Sequence, residues 1–341
     1  MESKLFEKKQ KLLIHPDFFK TVSEIKSLRI RLPREEQIMQ PNFDGPVEGS
    51  LVLVEGMAKI KLDAKNGAEY AKNKLIAAYD ESTNKYSALE GTGLLASHSL
   101  VILGKYEYLP ANLIAFYFYT RSKSYEEKSK YIKYAEDFQI KSQEDYYDDR
   151  SEFINNQISE NSILFIDGPY SGGNNTSFNY RLCKKLAEKN TLPIFVVKNS
   201  SGNLVTDNVK ELKGKYNSDL HWTHEYLSPG QRSSFFIYEE ARPNPSATTS
   251  KAFCYLKAFD GSPQRLEFSR ETFEKNRQEI EKVAELAYYL FLVNGPSPPE
   301  LRPVAVAEMY ARETLKLVNF KILTKELGLT DTVNQERFAW G

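Results

Sequence analysis

The chain has 341 residues, with 46 basic and 46 acidic side chains and a formal net charge of zero. That balance excludes a uniformly basic nucleic-acid coat but leaves room for a local basic groove. A hydrophobic content of 41% with 27% charged residues excludes wholesale disorder, and the length gives ample chain for a buried core. The longest apolar runs, around residues 112–119 and 286–293, fall short of the roughly 18 residues a membrane-spanning helix needs. The start, MESKLFEKKQKLLIHPDFF, shows no signal-peptide pattern. With only Cys183 and Cys254, a disulfide framework or cysteine-based zinc site is not expected. A cytoplasmic protein with two reduced, buried thiols is the expectation.

In chain order, residues 1–45 read as one or two helices and a loop punctuated by Pro33, Pro41 and Pro46. From Ser50 the alternation in SLVLVEGMAKIKL predicts a strand and hairpin. KLIAAYDES (74–82) reads as a short buried strand ending on the carboxylate of Asp80, and 99–108 and 112–120 as further strands. The polar stretch 122–159 has helical composition and no Pro or Gly. A strand over 163–166 closed by Asp167-Gly168-Pro169, an apolar-striped helix, and a strand over 194–197 ending at Lys198 form a parallel strand–helix–strand unit. Three strands near 234–238, 252–259 and 265–268 follow, then helices over 271–293 and 303–327 joined by the proline-rich NGPSPPELRP. The fold class is α/β, a mixed sheet flanked by helices. The expected domains are an N-terminal helical segment and linker (1–49), a main domain (50–327) and a tail (328–341).

Carboxylates at strand ends carry the most chemical information. In an open α/β sheet the strand C-termini face the ligand crevice, so Asp80 and Asp167 are placed to converge. A third acid group precedes them in EDYYDDRSE, and Glu55 in LVLVEGMAK is a further strand-end acid before a glycine. Converging carboxylates repel unless a cation sits between them, which points to a hard divalent metal that can act on a phosphate. Asp-Gly-Pro is also a generic turn signal. His221 and His224 lie three apart without cysteine neighbours and read as a hydrogen-bonded pair; His15 and His98 read as structural. No P-loop ending follows the SGGNN stretch, so the chain itself is not expected to hydrolyse ATP. No G-x-S-x-G elbow supports a serine hydrolase. The tyrosines at 125, 131, 134, 146 and 147 read first as half-buried packing, and second as stacking surfaces for single-stranded bases. The basic runs at 8–11 and 210–215 read as solvated faces.

The runs ILFIDGPYSGG, PIFVVKNSSGNLV, LSPGQRSSFFIY, RLEFS and RPVAVAEMYARETLKL, over about residues 74–325, occur in the order and at roughly the spacing of the NurA nuclease family, which this chain resembles. The resemblance implies a ribonuclease H-like fold and a manganese-dependent (Mn²⁺ or Mg²⁺) DNA nuclease. It also implies a 5′-end-processing homodimer docked on a hexameric HerA-type translocase, in repair or phage defence. By position, Asp167 matches the family's central metal-binding aspartate. Asp80 in AYDES matches its first aspartate, with Glu81 replacing a glycine and Glu55 as the alternative first acid. Glu152 matches the helical glutamate, with Asp148 and Asp149 as alternatives, and Lys198 the strand-closing lysine suited to a phosphate. Aligned on Pro303, Arg302 stands where a tyrosine belongs, and Tyr310, eight residues on, stands where a histidine belongs. Arg302 suits bidentate phosphate binding, whereas a tyrosine does not replace a neutral histidine as metal ligand or proton shuttle near pH 7. That pair implies either a rewired nuclease or a catalytically weakened scaffold that binds DNA and the translocase.

Overall fold

The structure, a computed structural model, describes residues 49–103, 108–123, 132–172, 175–200, 202–240, 250–327 and 329–330. The expected N-terminal helices, Lys8–Lys11, His15, Tyr125, Tyr131, the 242–249 loop and the aromatic tail with Phe338 and Trp340 lie outside these residues.

Among the described residues twelve strands join one sheet. Toward one end lies a meander, β3 (Leu75–Ser87), β4 (Thr92–Leu103) and β5 (Tyr108–Thr120), antiparallel to one another. Beside β3 lie β7 (Ser162–Asp167), parallel to it, and then β8 (Leu192–Val197), parallel to β7. The sheet continues antiparallel through β12 (Gln264–Ser269), β11 (Lys251–Lys257), β10 (Phe236–Glu240) and β1 (Gly49–Leu53). Short β2 (Lys59–Lys61) and β9 (Gln231–Ser233) pair with each other, and β9 also with β11. On the far edge, β6 (Ile132–Tyr134) runs parallel to β5.

Helices cover both faces, which is why SILFI and LPIFVV are apolar without alternation. On one face Ile76, Ala78, Ile163, Phe165, Ile194 and Val196 pack with α5 (Arg270–Lys275), α6 (Arg277–Asn294) and α7 (Arg302–Lys316). On the other, Ala77, Tyr79, Leu164, Ile166 and Phe195 pack with α2 (Phe138–Gln157) and α3 (Asn175–Glu188). The remaining helices are α1 (Ala64–Lys72), α4 (Asp219–Tyr226) and α8 (Phe320–Glu326). Side-chain caps fix several starts: Asp137 accepts from the Gln139 and Ile140 N–H groups, and Ser218 from that of His221. Just beyond α3, Asn190 adopts a left-handed φ of 51°, a conformation asparagine tolerates better than most residues.

The mixed sheet and the parallel unit agree with the sequence reading; several boundaries do not. The 50–62 segment is no hairpin, because β1 pairs with β10 and β2 with β9. The long helix expected over 122–159 begins only at Phe138, after β6. The two closing helices are four, interrupted at Asn276 and again between Lys316 and Phe320. Most consequential, β3 continues seven residues beyond Asp80. The alternation after Asp80 is polar because β3 then pairs only with β4, and one side of it meets solvent.

Both thiols are buried and burial pushes each up to about 12. Neither Cys183 nor Cys254 is therefore expected to react with an aromatic disulfide reagent in the native protein. Two thiols should titrate once denaturant unfolds it, and prompt native-state labelling of either would contradict this packing.

Candidate active site

The pleat sets the site. Asp80 shares the parity of Ala78, Asp167 that of Phe165, and Lys198 that of Val196, so all three point to the α6–α7 face. Tyr79 pairs with Ile166, which makes Asp80 and Asp167 neighbours across the β3–β7 ladder. Asp167 stands where β7 ends, and Gly168 at φ 97° lets the chain turn away immediately. Asp80 is mid-strand, yet it lies where the parallel pairing with β7 stops.

Asp80 is 4% exposed, and its Oδ1 accepts the Glu81 N–H at 2.7 Å. Burial, with Asp167 and Glu81 nearby, pushes its carboxyl up to about 8, Lys198 opposing. Asp167 is pushed up to about 6, again chiefly by burial. There Lys198 is the main opposing influence, while Glu81 and Glu308 add to the rise. Lys198 lies 3.4 Å from Asp167 Oδ1, 3.2 Å from Glu300 Oε1 and 3.2 Å from Glu308 Oε2. Burial alone would depress this ammonium, but Asp167, Asp80, Glu300 and Glu308 raise it above the ordinary lysine range, so it stays charged.

The turn after Asp167 is gripped from two sides. Asn179 of α3 donates to the carbonyls of Pro169 and Tyr170 at 3.0 and 2.8 Å. Glu267 of β12, fully buried, accepts the Tyr170 N–H at 2.7 Å. Glu267 also accepts from Lys251 Nζ at 2.7 Å and forms an ion pair with Arg265 at 2.8 Å. Arg265 donates in turn to Ser200, in the loop after Lys198, at 3.0 Å. Side chains of β12 thus tie both strand-end loops to the sheet.

The structure brings together Asp80, Asp167 and Lys198. Glu152 is on the exposed side of α2, lining a shallow polar cavity with Asp148, Asn155 and Arg181. Asp149 is bonded to Tyr117. The buried polar residue on the inner face of α2 is Arg150, stacked over Tyr147 at 4.5 Å and bonded to Asn179. Glu55 is committed elsewhere, held by Arg232 at 2.9 Å, Arg277 at 2.8 Å and the Phe235 N–H. Arg302 donates to Asn294 at 3.4 Å and neighbours Tyr108, and Tyr310 packs on the core. Neither is among the groups around Lys198. Glu300 and Glu308, which sequence reasoning passed over, take that place. They keep the eight-residue spacing but sit two residues earlier, and two residues turn an α-helix by about 200°. Within α7 that turn separates Glu308, at Lys198, from Tyr310, which packs on the core.

The three described histidines have structural partners. His98 is buried and bonded to Tyr79 OH at 2.6 Å, and burial pulls it down to about 4, so it is neutral. His221 faces Glu225, and His224 the Gly261 carbonyl. Tyr146 is buried and Tyr147 half-buried, the packing role read from sequence.

The residues fit a divalent cation of the Mg²⁺ or Mn²⁺ kind. Two adjacent aspartates with raised proton affinity, Asp80 buried and Asp167 half-buried, are short of positive charge. Such ions are commonly held by one or two carboxylates, with water and substrate phosphate completing the shell. Among the described residues no three His, Cys, Asp or Glu side chains stand in a ready-made metal cage.

No curated protein matches the chain in sequence. Among solved structures, the NurA nuclease from Sulfolobus solfataricus superposes with a TM-score of 0.51 at 12% identity, covering 92% of this chain and 98% of that one. Another NurA structure gives 0.43 at 8% identity, covering 88% and 94%. An endonuclease V from Bacillus subtilis gives 0.41 at 10%, covering 86% and 92%. The ribonuclease H-like fold class agrees with the first of these. The NurA domain family model matches residues 74–312, which span the meander, the parallel unit, β12 and most of α7. The chain belongs to the NurA domain family.

Proposed function

We propose that this protein is a divalent-metal-dependent DNA nuclease. The observation that carries this reading is the pair of aspartates, buried Asp80 and half-buried Asp167, on adjacent strand positions beside the charged Lys198, within a NurA domain. Asp80 and Asp167 would hold the cation, Mn²⁺ or Mg²⁺. Once bound, the cation supplies Lewis acidity toward the scissile phosphate and offsets its developing charge. Asp167 is kept in place by the Glu267 and Asn179 grip on the following turn. Lys198 presents a fixed positive charge at the site mouth, where a phosphate oxygen can exchange for one of its carboxylate partners. Burial of Asp80 limits water on its side of the reacting centre, while half-buried Asp167 faces the opening.

The finer reading is DNA end processing, 5′-3′ exonuclease and single-strand endonuclease in type, by a cytoplasmic homodimer working with a HerA-type hexameric translocase. Family membership supports it. Arg302, exposed at the start of α7, belongs in this picture as an outer phosphate contact. No helix of the described residues is long and apolar enough to cross a membrane. One observation favours a weaker second reading, a NurA-like scaffold that grips DNA and translocase with little catalysis. The inner face of α2 carries Arg150, and the acid Glu152 faces outward.

The test is cleavage of end-labelled linear single- and double-stranded DNA in Mn²⁺, Mg²⁺ or EDTA, with and without a ring translocase. Metal-dependent cutting that is lost in Asp167→Ala is expected. Unimpaired cutting by that variant would refute the nuclease site, and DNA binding without cutting under any condition would favour the scaffold.

A further inference from the structure

We propose that Glu308, supported by Glu300, completes the cation-binding carboxylate set of this site, and that Lys198 marks the point on which the set converges. The inference rests on the nuclease reading and assigns it two residues from the C-terminal segment.

Three carboxylate oxygens, from Asp167, Glu300 and Glu308, lie within 3.4 Å of one atom, Lys198 Nζ. They arrive from β7, from the loop before α7 and from α7 itself, which are separate parts of the chain. The cation position these oxygens surround is held here by the Lys198 ammonium, and a divalent ion would take it as that flexible side chain withdraws toward the opening. Magnesium takes oxygen ligands at about 2.0–2.1 Å and calcium at about 2.3–2.6 Å, so an inward shift of about 1 Å per oxygen would suit a divalent ion. Side chains that are a fifth to a quarter exposed can make such a shift by rotamer adjustment (19% for Glu300, 23% for Glu308, 27% for Asp167).

Charge points the same way. Asp80, Asp167, Glu300 and Glu308 face Lys198, and Arg312 pairs with Glu308 from one helical turn on. With these four acids ionised, negative charge at the site exceeds what Lys198 and Arg312 supply, and Glu81, which also acts on Asp80 and Asp167, adds to the excess. Asp80 supplies an independent sign of a missing partner. It is 4% exposed, has no ion pair among the described residues, and takes its hydrogen bond from its own neighbour's N–H. Buried charges in proteins are ordinarily paired or coordinate metals. Lys198 then acts as a positioning residue, holding Glu300 and Glu308 toward the aspartates until the divalent ion shares them.

The experiment measures Mn²⁺ binding to the full chain by electron paramagnetic resonance, with the Mn²⁺-induced rise in melting temperature as a second readout. Wild type is compared with Glu308→Gln, Glu300→Gln, Asp167→Asn and, as a surface-charge control on the same helix, Glu313→Gln. Expected is a loss of Mn²⁺ affinity of about tenfold or more in Glu308→Gln, a smaller loss in Glu300→Gln, and none in Glu313→Gln. Melting without metal should be nearly unchanged in Glu308→Gln, which separates ligand loss from unfolding. Wild-type affinity in Glu308→Gln, with affinity lost in Asp167→Asn, would overturn this inference and leave the nuclease reading standing. No Mn²⁺ binding by the wild type would overturn both.

Discussion

Asp80→Asn is expected to reduce Mn²⁺-dependent cleavage by at least about a hundredfold and, in the absence of metal, to raise stability at pH 8 by several kcal/mol, on the order of 5. Both effects have one cause. Asp80 is buried beside Asp167 and Glu81, and its carboxyl is pushed up to about 8 from an ordinary value of 3.8. Between those values the native protein holds a proton that the unfolded chain has released. Native protein therefore binds more protons than unfolded protein, and stability falls as pH rises through the window. Asparagine resembles the protonated carboxyl and carries no charge, so the variant escapes this loss. The gap in melting temperature should be small near pH 4 and widen toward pH 8. In the wild type the divalent ion takes the proton's place, so its stabilising effect should grow over the same range. Melting curves from pH 4.5 to 8.5 in EDTA and in Mn²⁺, alongside cleavage assays, measure all of this. A gap independent of pH, or an Asp80→Asn protein that cuts normally, would remove Asp80 from the site.

A second large effect is expected at Glu267. Glu267→Gln should lower stability by about 3–5 kcal/mol, because it removes the buried carboxylate that pairs with both Lys251 and Arg265. Adding Lys251→Met to it should restore part of the loss, since the pair interacts directly and the single changes will not be additive. Burial works to raise the Glu267 carboxyl, but Lys251, Arg265 and the Tyr170 N–H overcome it and hold it below the ordinary range. Its contribution is thus present above the unfolded value and lost as pH falls toward the lowered native one. The destabilisation should therefore be full at neutral pH and shrink in acid. Because Glu267 also holds the turn after Asp167, cleavage per folded molecule should fall as well. Urea unfolding at pH 7 and pH 3.5 gives the comparison. A loss below about 1 kcal/mol at pH 7 would mean water or relaxation replaces the clamp.

The sequence alone determined the parallel strand–helix–strand unit, because apolar runs bounded by Asp-Gly-Pro and by Lys198 leave few alternatives over so short a span. It also placed Asp80 and Asp167 at strand ends where they could converge, with Glu55 open as the alternative first acid, and the family resemblance singled out Lys198. Structural roles for His98, Tyr146 and the two cysteines followed from residue type. What the tertiary structure decided is everything that depends on rotation or on distant pairing. Which acid of EDYYDDRSE faces inward is a matter of about 100° per residue along α2, and none of Asp148, Asp149 or Glu152 joins the pair; Arg150 faces in. The same rotation on α7 separates Glu308 from Tyr310. Glu55 looked like a strand-end acid, and only the folded chain shows it clamped by Arg232 and Arg277, one of them 222 residues away. The extension of β3 past Asp80 likewise depended on β4 pairing with residues too polar to read as a strand. Local pattern specifies which segments bury and where they end; the phase of a helix about its axis, and the partner that neutralises a charge, are set only when the segments pack.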